Sequence, residues 1–100
     1  MRNKSQYESI CFEIISAAGS AKSSYLEAIE AAKEGNSFEE LIHEGNITFT
    51  NAARSHAKAL QLEAEEQLDF GLLLIHAETI LSSAETIKDL SMTMIELINK

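Results

Sequence analysis

"YESICFEIISAAGSAKSSYLEAIEAAK", residues 7–33, spaces its apolar and small side chains at alternating steps of four and three. Tyr7, Cys11, Ile14, Ala18, Ala21, Tyr25, Ala28 and Ala32 fall along one line of a helix, and Ile15, Leu26 and Ile29 widen that line into a face. A half-buried strand would alternate every second residue instead, because its successive side chains point to opposite faces. The spacing predicts a helix over about residues 4–34 with a seam of the coiled-coil kind.

Glu34-Gly35-Asn36-Ser37 closes this helix. Gly35 suits the position just past a helix end, where positive φ carries no Cβ penalty. Ser37 followed by Glu40 reads as a capping box that opens a second helix over about 38–64, with Phe38, Ile42, Gly45, Phe49, Ala52, His56 and Ala59 on its seam. A second break runs from Glu65 to Gly71, where Asp69 is the expected N-cap of a third helix over about 70–99. Leu73, Ala77, Ile80, Ala84, Ile87, Ser91, Met94 and Ile98 form its seam, flanked by Leu74, Leu81, Leu90, Ile95 and Leu97. The 100 residues include no proline and four glycines, so little interrupts the helical hydrogen-bond ladder. Short connections make successive helices antiparallel. The expected fold is all-α, an up-down-up three-helix bundle forming a single domain over residues 1–100.

Helices of this length span about 45 Å, which is slender for three. The third is also apolar around more of its circumference than two neighbours can cover. Another copy of the chain is therefore expected on the remaining surface; a monomer with a few exposed leucines is the alternative.

Net charge is −8, which disfavours nucleic acid and anionic lipid and suits a basic protein partner. Cys11, the single cysteine, has no internal disulfide partner and points to a reducing compartment. No apolar run approaches a membrane span and no signal peptide is visible, so a cytoplasmic protein is expected. A glycine-rich phosphate loop, His-Glu-x-x-His and Gly-x-Ser-x-Gly are all missing, which removes support for several enzyme classes.

Three histidines remain to be placed. His43, beside Glu44, reads as a solvated surface residue. His56 falls on the second seam, either as a hydrogen-bonded core histidine or as a polar group lining a site. His76 stands in "LLLIHAETILSSAET", residues 72–86, where leucines give way to Thr79 and Ser83. It reads either as a packed structural histidine or as a nucleophile with one ring nitrogen held by the protein and the other open. Periodicity leaves both readings open.

The segments in their order resemble the lactose/cellobiose-type enzyme IIA component of the bacterial sugar phosphotransferase system. "FEIISAAGSAKSSYLEAIEAAKEG", Asn51-Ala52, "LQLEAE", "LLLIHAETILSS" and "IKDLSMTMIELINK" carry the resemblance over about residues 8–98. It implies a three-helix chain assembling as a homotrimer, a nine-helix bundle. His76 matches the first histidine of the family's His-x-Gln-Asp-His pattern, which accepts a phosphoryl group from HPr and passes it to a cysteine of enzyme IIB. The system served would take up a lactose-, cellobiose- or chitobiose-type sugar, and no cofactor is expected. Thr79 and Ser83 become candidate hydrogen-bond donors to the phosphoryl oxygens, with His56 a candidate contributor across a subunit interface. Two departures stand out: Thr79 replaces the family's Asp, a metal ligand on the trimer axis in relatives, and Ile80 replaces its second histidine. A neutral hydroxyl is no substitute for an anionic ligand, so no divalent ion is expected there. The same departures motivate an alternative, a catalytically diverged IIA-like regulatory or interaction module.

Overall fold

A computed structural model describes residues 4–100 and contains three α-helices: α1 (Lys4–Lys33), α2 (Glu39–Ala64) and α3 (Leu72–Ile98). No strand occurs among the described residues. The fold is the expected all-α bundle, drawn out to 51 × 17 × 16 Å.

Three clusters along its length establish the up-down-up order. At one end Tyr7, Ile10, Cys11 and Ile14 of α1 meet Ala59 near the end of α2, Leu68 of the connection, and Leu74 and Ala77 at the start of α3. Ala18, Ala52 and Ala84 meet in the middle, where three methyl groups allow close helix approach. At the far end Ala28, Ile29 and Ala32 pack with Ile95, against Phe38, Leu41 and Ile42. Helix α1 runs along both others, whereas α2 and α3 touch sparsely. The central helix is thus the one with the most complete seam: every predicted seam residue of α1 is buried.

On α3 one of the two rows of the predicted seam is displaced by one residue. Ala77, Ala84 and Ser91 are buried, but Met94 and Ile98 are exposed and Ile95 is buried in their place. Leu74 is likewise buried where Leu73 was expected, so the row Ala77, Ala84 and Ser91 keeps its register while the other row runs one residue on.

Both predicted N-caps need correction. Helix α2 takes Phe38 as N-cap rather than Ser37, and the reach-back carboxylate is Glu39, not Glu40. Glu39 Oε2 accepts from Ser37 Oγ at 2.8 Å and from the Phe38 amide at 3.1 Å. Packing of Phe38 against the end cluster shifts the start by one residue. Helix α3 begins at Leu72 with the extended Gly71 as N-cap and no side-chain cap bond, so Asp69 lies outside the cap position. Leu68, 2% exposed, is drawn into the core just before it and fixes the chain's path.

The C-terminal ends are regular. Gly35 has φ 74°, and the amides of Gly35 and Asn36 bond the carbonyls of Ala32 and Ala31 at 3.1 and 2.8 Å. The end of α2 repeats this pattern with Glu66 at φ 61°, its amide on Glu63 O and that of Gln67 on Leu62 O.

Between α1 and α2, the buried Tyr25 donates its hydroxyl proton to Asn46 Oδ1 at 2.7 Å. Burial first, and then the charge of Asp89, push its phenol up to about 12. The unfolded phenol titrates near 10, so the folded chain holds the proton over a range where the unfolded chain has lost it. This contribution is complete below about pH 10 and is lost as pH rises towards about 12, a decline of order 2 kcal/mol. Denaturant titrations from pH 9 to about 12 should show that decline, and Tyr25→Phe should flatten it.

Candidate functional site

The start of α3 carries the residue on which the functional question turns. Leu74 and Ala77 are fully buried, so the backbone between them is pinned and the intervening His76 is turned outward. Its ring is exposed, and neither ring nitrogen bonds to any described residue. A helical side chain leans towards the N-terminus of its helix. Accordingly His76 shares an open depression of about 630 Å³ with Leu72 and Leu73, one turn earlier. The packed structural histidine is therefore not what the fold contains. Nor is one nitrogen held within the chain, as the nucleophile reading expected; exposure leaves both edges to solvent or to a partner.

Thr79, three residues on, lies on the same exposed flank, and its hydroxyl donates to Ile75 O at 3.0 Å. Ser83 is seven residues on, about 10 Å along the axis, beyond direct contact with a group on His76. Its Oγ instead accepts from Lys22 Nζ at 3.0 Å, tying α3 to α1. His56 faces a different part of α3: its ring Nε2 lies 2.8 Å from Glu78 Oε2. Glu78 sits about 200° around the helix from His76. The pair lines a groove of about 370 Å³ with Phe49, Ser82 and Glu85, and is the only side-chain hydrogen bond between α2 and α3 among the described residues. His56 is thus hydrogen-bonded as its first reading expected and groove-lining as its second did, half-buried and outside the core, while His43 is exposed.

Within one chain, then, Thr79 accompanies His76, whereas Ser83 and His56 do not. Sequence spacing gave no notice of Glu78 as the partner of His56, or of Lys22 reaching Ser83. Nor did it foresee the buried Tyr7 hydroxyl, which accepts the Leu74 amide at 3.0 Å. Each of these joins residues more than twenty positions apart, where a helical period is silent.

On chemistry alone, an exposed imidazole with neither nitrogen bonded to a described residue can act as a nucleophile or proton carrier. It lies about one turn from the N-terminus of α3, whose partial positive charge favours an arriving anion. No group of three His, Cys, Asp or Glu side chains suited to a metal ion comes together among the described residues.

Comparison with known proteins adds a second, independent line. The family model described as "PTS system, Lactose/Cellobiose specific IIA subunit" matches residues 9–99. The chain is 34% identical to the PTS system lactose-specific EIIA component of Staphylococcus epidermidis, covering 98% of this chain and 97% of that one. It is 35% identical to the lichenan-specific phosphotransferase enzyme IIA component of Bacillus subtilis, over 95% and 89% of the two chains. The crystal structure of the PTS cellobiose specific enzyme IIA from Bacillus anthracis superposes with a TM-score of 0.88 at 29% identity, covering 99% of this chain and 92% of that one.

Proposed function

This chain belongs to the lactose/cellobiose-specific IIA family of the sugar phosphotransferase system, and on that footing we propose that it carries a phosphoryl group on His76 between HPr and a cysteine of enzyme IIB. The observation that supports this most is the ring itself: exposed, unbonded, and at the position that matches the family's first histidine. A ring nitrogen's lone pair attacks phosphorus as the bond to the donor breaks, so the group moves without a cofactor. Phosphoryl transfer asks mainly for in-line placement and neutralisation of charge on the equatorial oxygens. The docking partner supplies most of the second, aided by the positive end of α3. Thr79 is the near neighbour; its hydroxyl proton is committed to Ile75 O, so it contributes only by turning away from that carbonyl.

A protein with this role works in the cytoplasm, and no helix among the described residues is long and apolar enough to cross a membrane. The names of its relatives, lactose, lichenan and cellobiose, support a transported sugar of the same class. Net charge of −8 suits a basic face on the donor and speeds encounter at low salt.

The assembly proposed is a homotrimer. Of the large hydrophobics left exposed by one chain, Leu72, Ile75, Leu90, Met92, Met94, Leu97 and Ile98 all lie on α3. Leu72, Leu90, Met94 and Leu97 share a flank with His76 and Thr79, so subunits meeting there bring the sites to the edge of the interface. The residues do not fit the axial metal of relatives, because Thr79 offers a neutral hydroxyl and Ile80 no ligand at all. Sedimentation equilibrium in EDTA should accordingly give three times the 11.0 kDa chain mass. A monomer, or a trimer that dissociates on chelation, contradicts this.

Thr79 and Ile80 favour a second reading, a diverged regulatory or interaction module that has lost efficient transfer. Transfer from phosphorylated protein onward to a cognate enzyme IIB separates the two. Turnover at the pace of lactose-specific relatives rules out the diverged module, and stalling after uptake on His76 supports it.

A further inference from the structure

Helix α3 starts without the usual means of holding a helix start. Its N-cap is Gly71, which has no side chain to accept a bond, and its first turn holds no acidic residue. The amides of the first turn precede any carbonyl of the helix that could receive them; the ladder begins with Ile75 N on Gly71 O at 3.2 Å. The Leu74 amide is satisfied from another helix, by the Tyr7 hydroxyl of α1 at 3.0 Å in a buried setting. Tyr7 is 4% exposed and Leu74 is fully buried. Both partners are fixed in the same core cluster, so the hydroxyl oxygen has one stable orientation.

Resting on the reading of His76 as phosphoryl acceptor, we propose that Tyr7 is its positioning residue: the phenol caps α3 across the bundle at Leu74 and thereby sets where the His76 turn stands relative to α1. The consequence for transfer is geometric. His76 follows the capped residue by two and its ring bonds to no described residue, so the backbone of this turn is what aims it. In-line displacement loses rate steeply when the attacking atom is misplaced by about 1 Å. A helix start released from its cap samples such displacements, while the surface that a donor would grip, Leu72 and Leu73 beside His76, keeps its composition.

Tyr7→Phe removes the oxygen and keeps the ring, and Tyr25→Phe serves as its control, since it deletes a tyrosine hydroxyl bond to Asn46 about five turns further along α1. In Tyr7→Phe, amide exchange at Leu74 should quicken about tenfold, the scale of one net hydrogen bond. Uptake at saturating phosphorylated HPr should fall about five- to tenfold, with the half-saturating donor concentration changed less than about twofold. Tyr25→Phe should leave both the Leu74 exchange and the uptake rate at native values. If Tyr7→Phe speeds exchange yet takes up phosphate as fast as Tyr25→Phe, the hydroxyl is merely structural and the proposal is overturned. Unchanged exchange at Leu74 overturns it as well. Should the native chain take up no phosphoryl group, the reading of His76 fails separately. The Leu74 exchange and the His76 ring resonances, which need no donor, then decide whether Tyr7 sets that turn: shifted resonances with faster exchange support it, and native values overturn it.

Discussion

His76→Ala is expected to lose phosphoryl uptake from phosphorylated HPr by about a thousandfold or more, because deletion of the nucleophile leaves nothing to take its place. The structure explains why rescue from within the chain is not expected. His56 lies around α3 from this site with a ring nitrogen on Glu78, and Cys11 is fully buried with burial pushing its thiol up. His43→Ala, which alters another exposed imidazole on α2, should take up phosphate at the native rate. The loss should come with little change in stability, within about 0.5 kcal/mol, since an exposed side chain without bonds is removed. Equilibrium unfolding of His76→Ala beside the uptake assay checks both halves. A variant that is inactive because it is unfolded is recognised at once.

The largest stability effect is expected at Gly45, in the second turn of α2. A Cβ there would lie 2.7 Å from Cε1 of Tyr25, 2.9 Å from Cζ and 3.0 Å from Cδ1. Those atoms belong to a ring 1% exposed whose hydroxyl is held by Asn46, so the ring is not free to swing aside. Gly45→Val also brings two methyl groups that must enter the α1–α2 contact. Overpacking of this kind costs about 3 kcal/mol, against a gain of only a few tenths from helix propensity. A domain of this size should then melt about 10–20 °C lower at fixed protein concentration. Gly19 offers the contrast: a Cβ there meets nothing within 4 Å, and Gly19→Ala should stabilise by about 0.5–1 kcal/mol. Equal melting temperatures for Gly45→Val and the native chain would remove the close α1–α2 approach from this account.

The difference between these two glycines marks how far the sequence could be read. Both stand inside helical patterns, and only Gly45 falls on a seam, but the seam does not name Tyr25 as what it meets. Helices, their order and the face of α1 were legible because each is written in short-range spacing. The Schellman end at Gly35 was legible too, since a glycine after a long apolar pattern has one common use. The matching end at Glu66 was not, because a residue with a Cβ gives no sign of positive φ. Both N-caps were misplaced by the pull of core residues, Phe38 and Leu68, that propensity does not weigh.

At the site, His76 was found by its place between leucines and Thr79, and by its match to a family pattern, while its exposure needed the fold. Pattern alone allowed it to be packed. What decides otherwise is the burial of Leu74 and Ala77 on either side, which leaves the ring no direction but outward. Tyr7 was legible as a seam residue and illegible as a cap, since its role depends on the end of a helix 67 positions away.

Intact-mass measurement of the purified chain after incubation with phosphorylated HPr, followed by fragmentation under conditions that preserve phosphohistidine, reaches the central claim most directly. The account predicts a gain of one phosphoryl group per chain, located on His76 and lost on mild acid treatment. A chain that gains no mass while a lactose-specific relative is labelled in the same tube, or one labelled at any other residue, contradicts it.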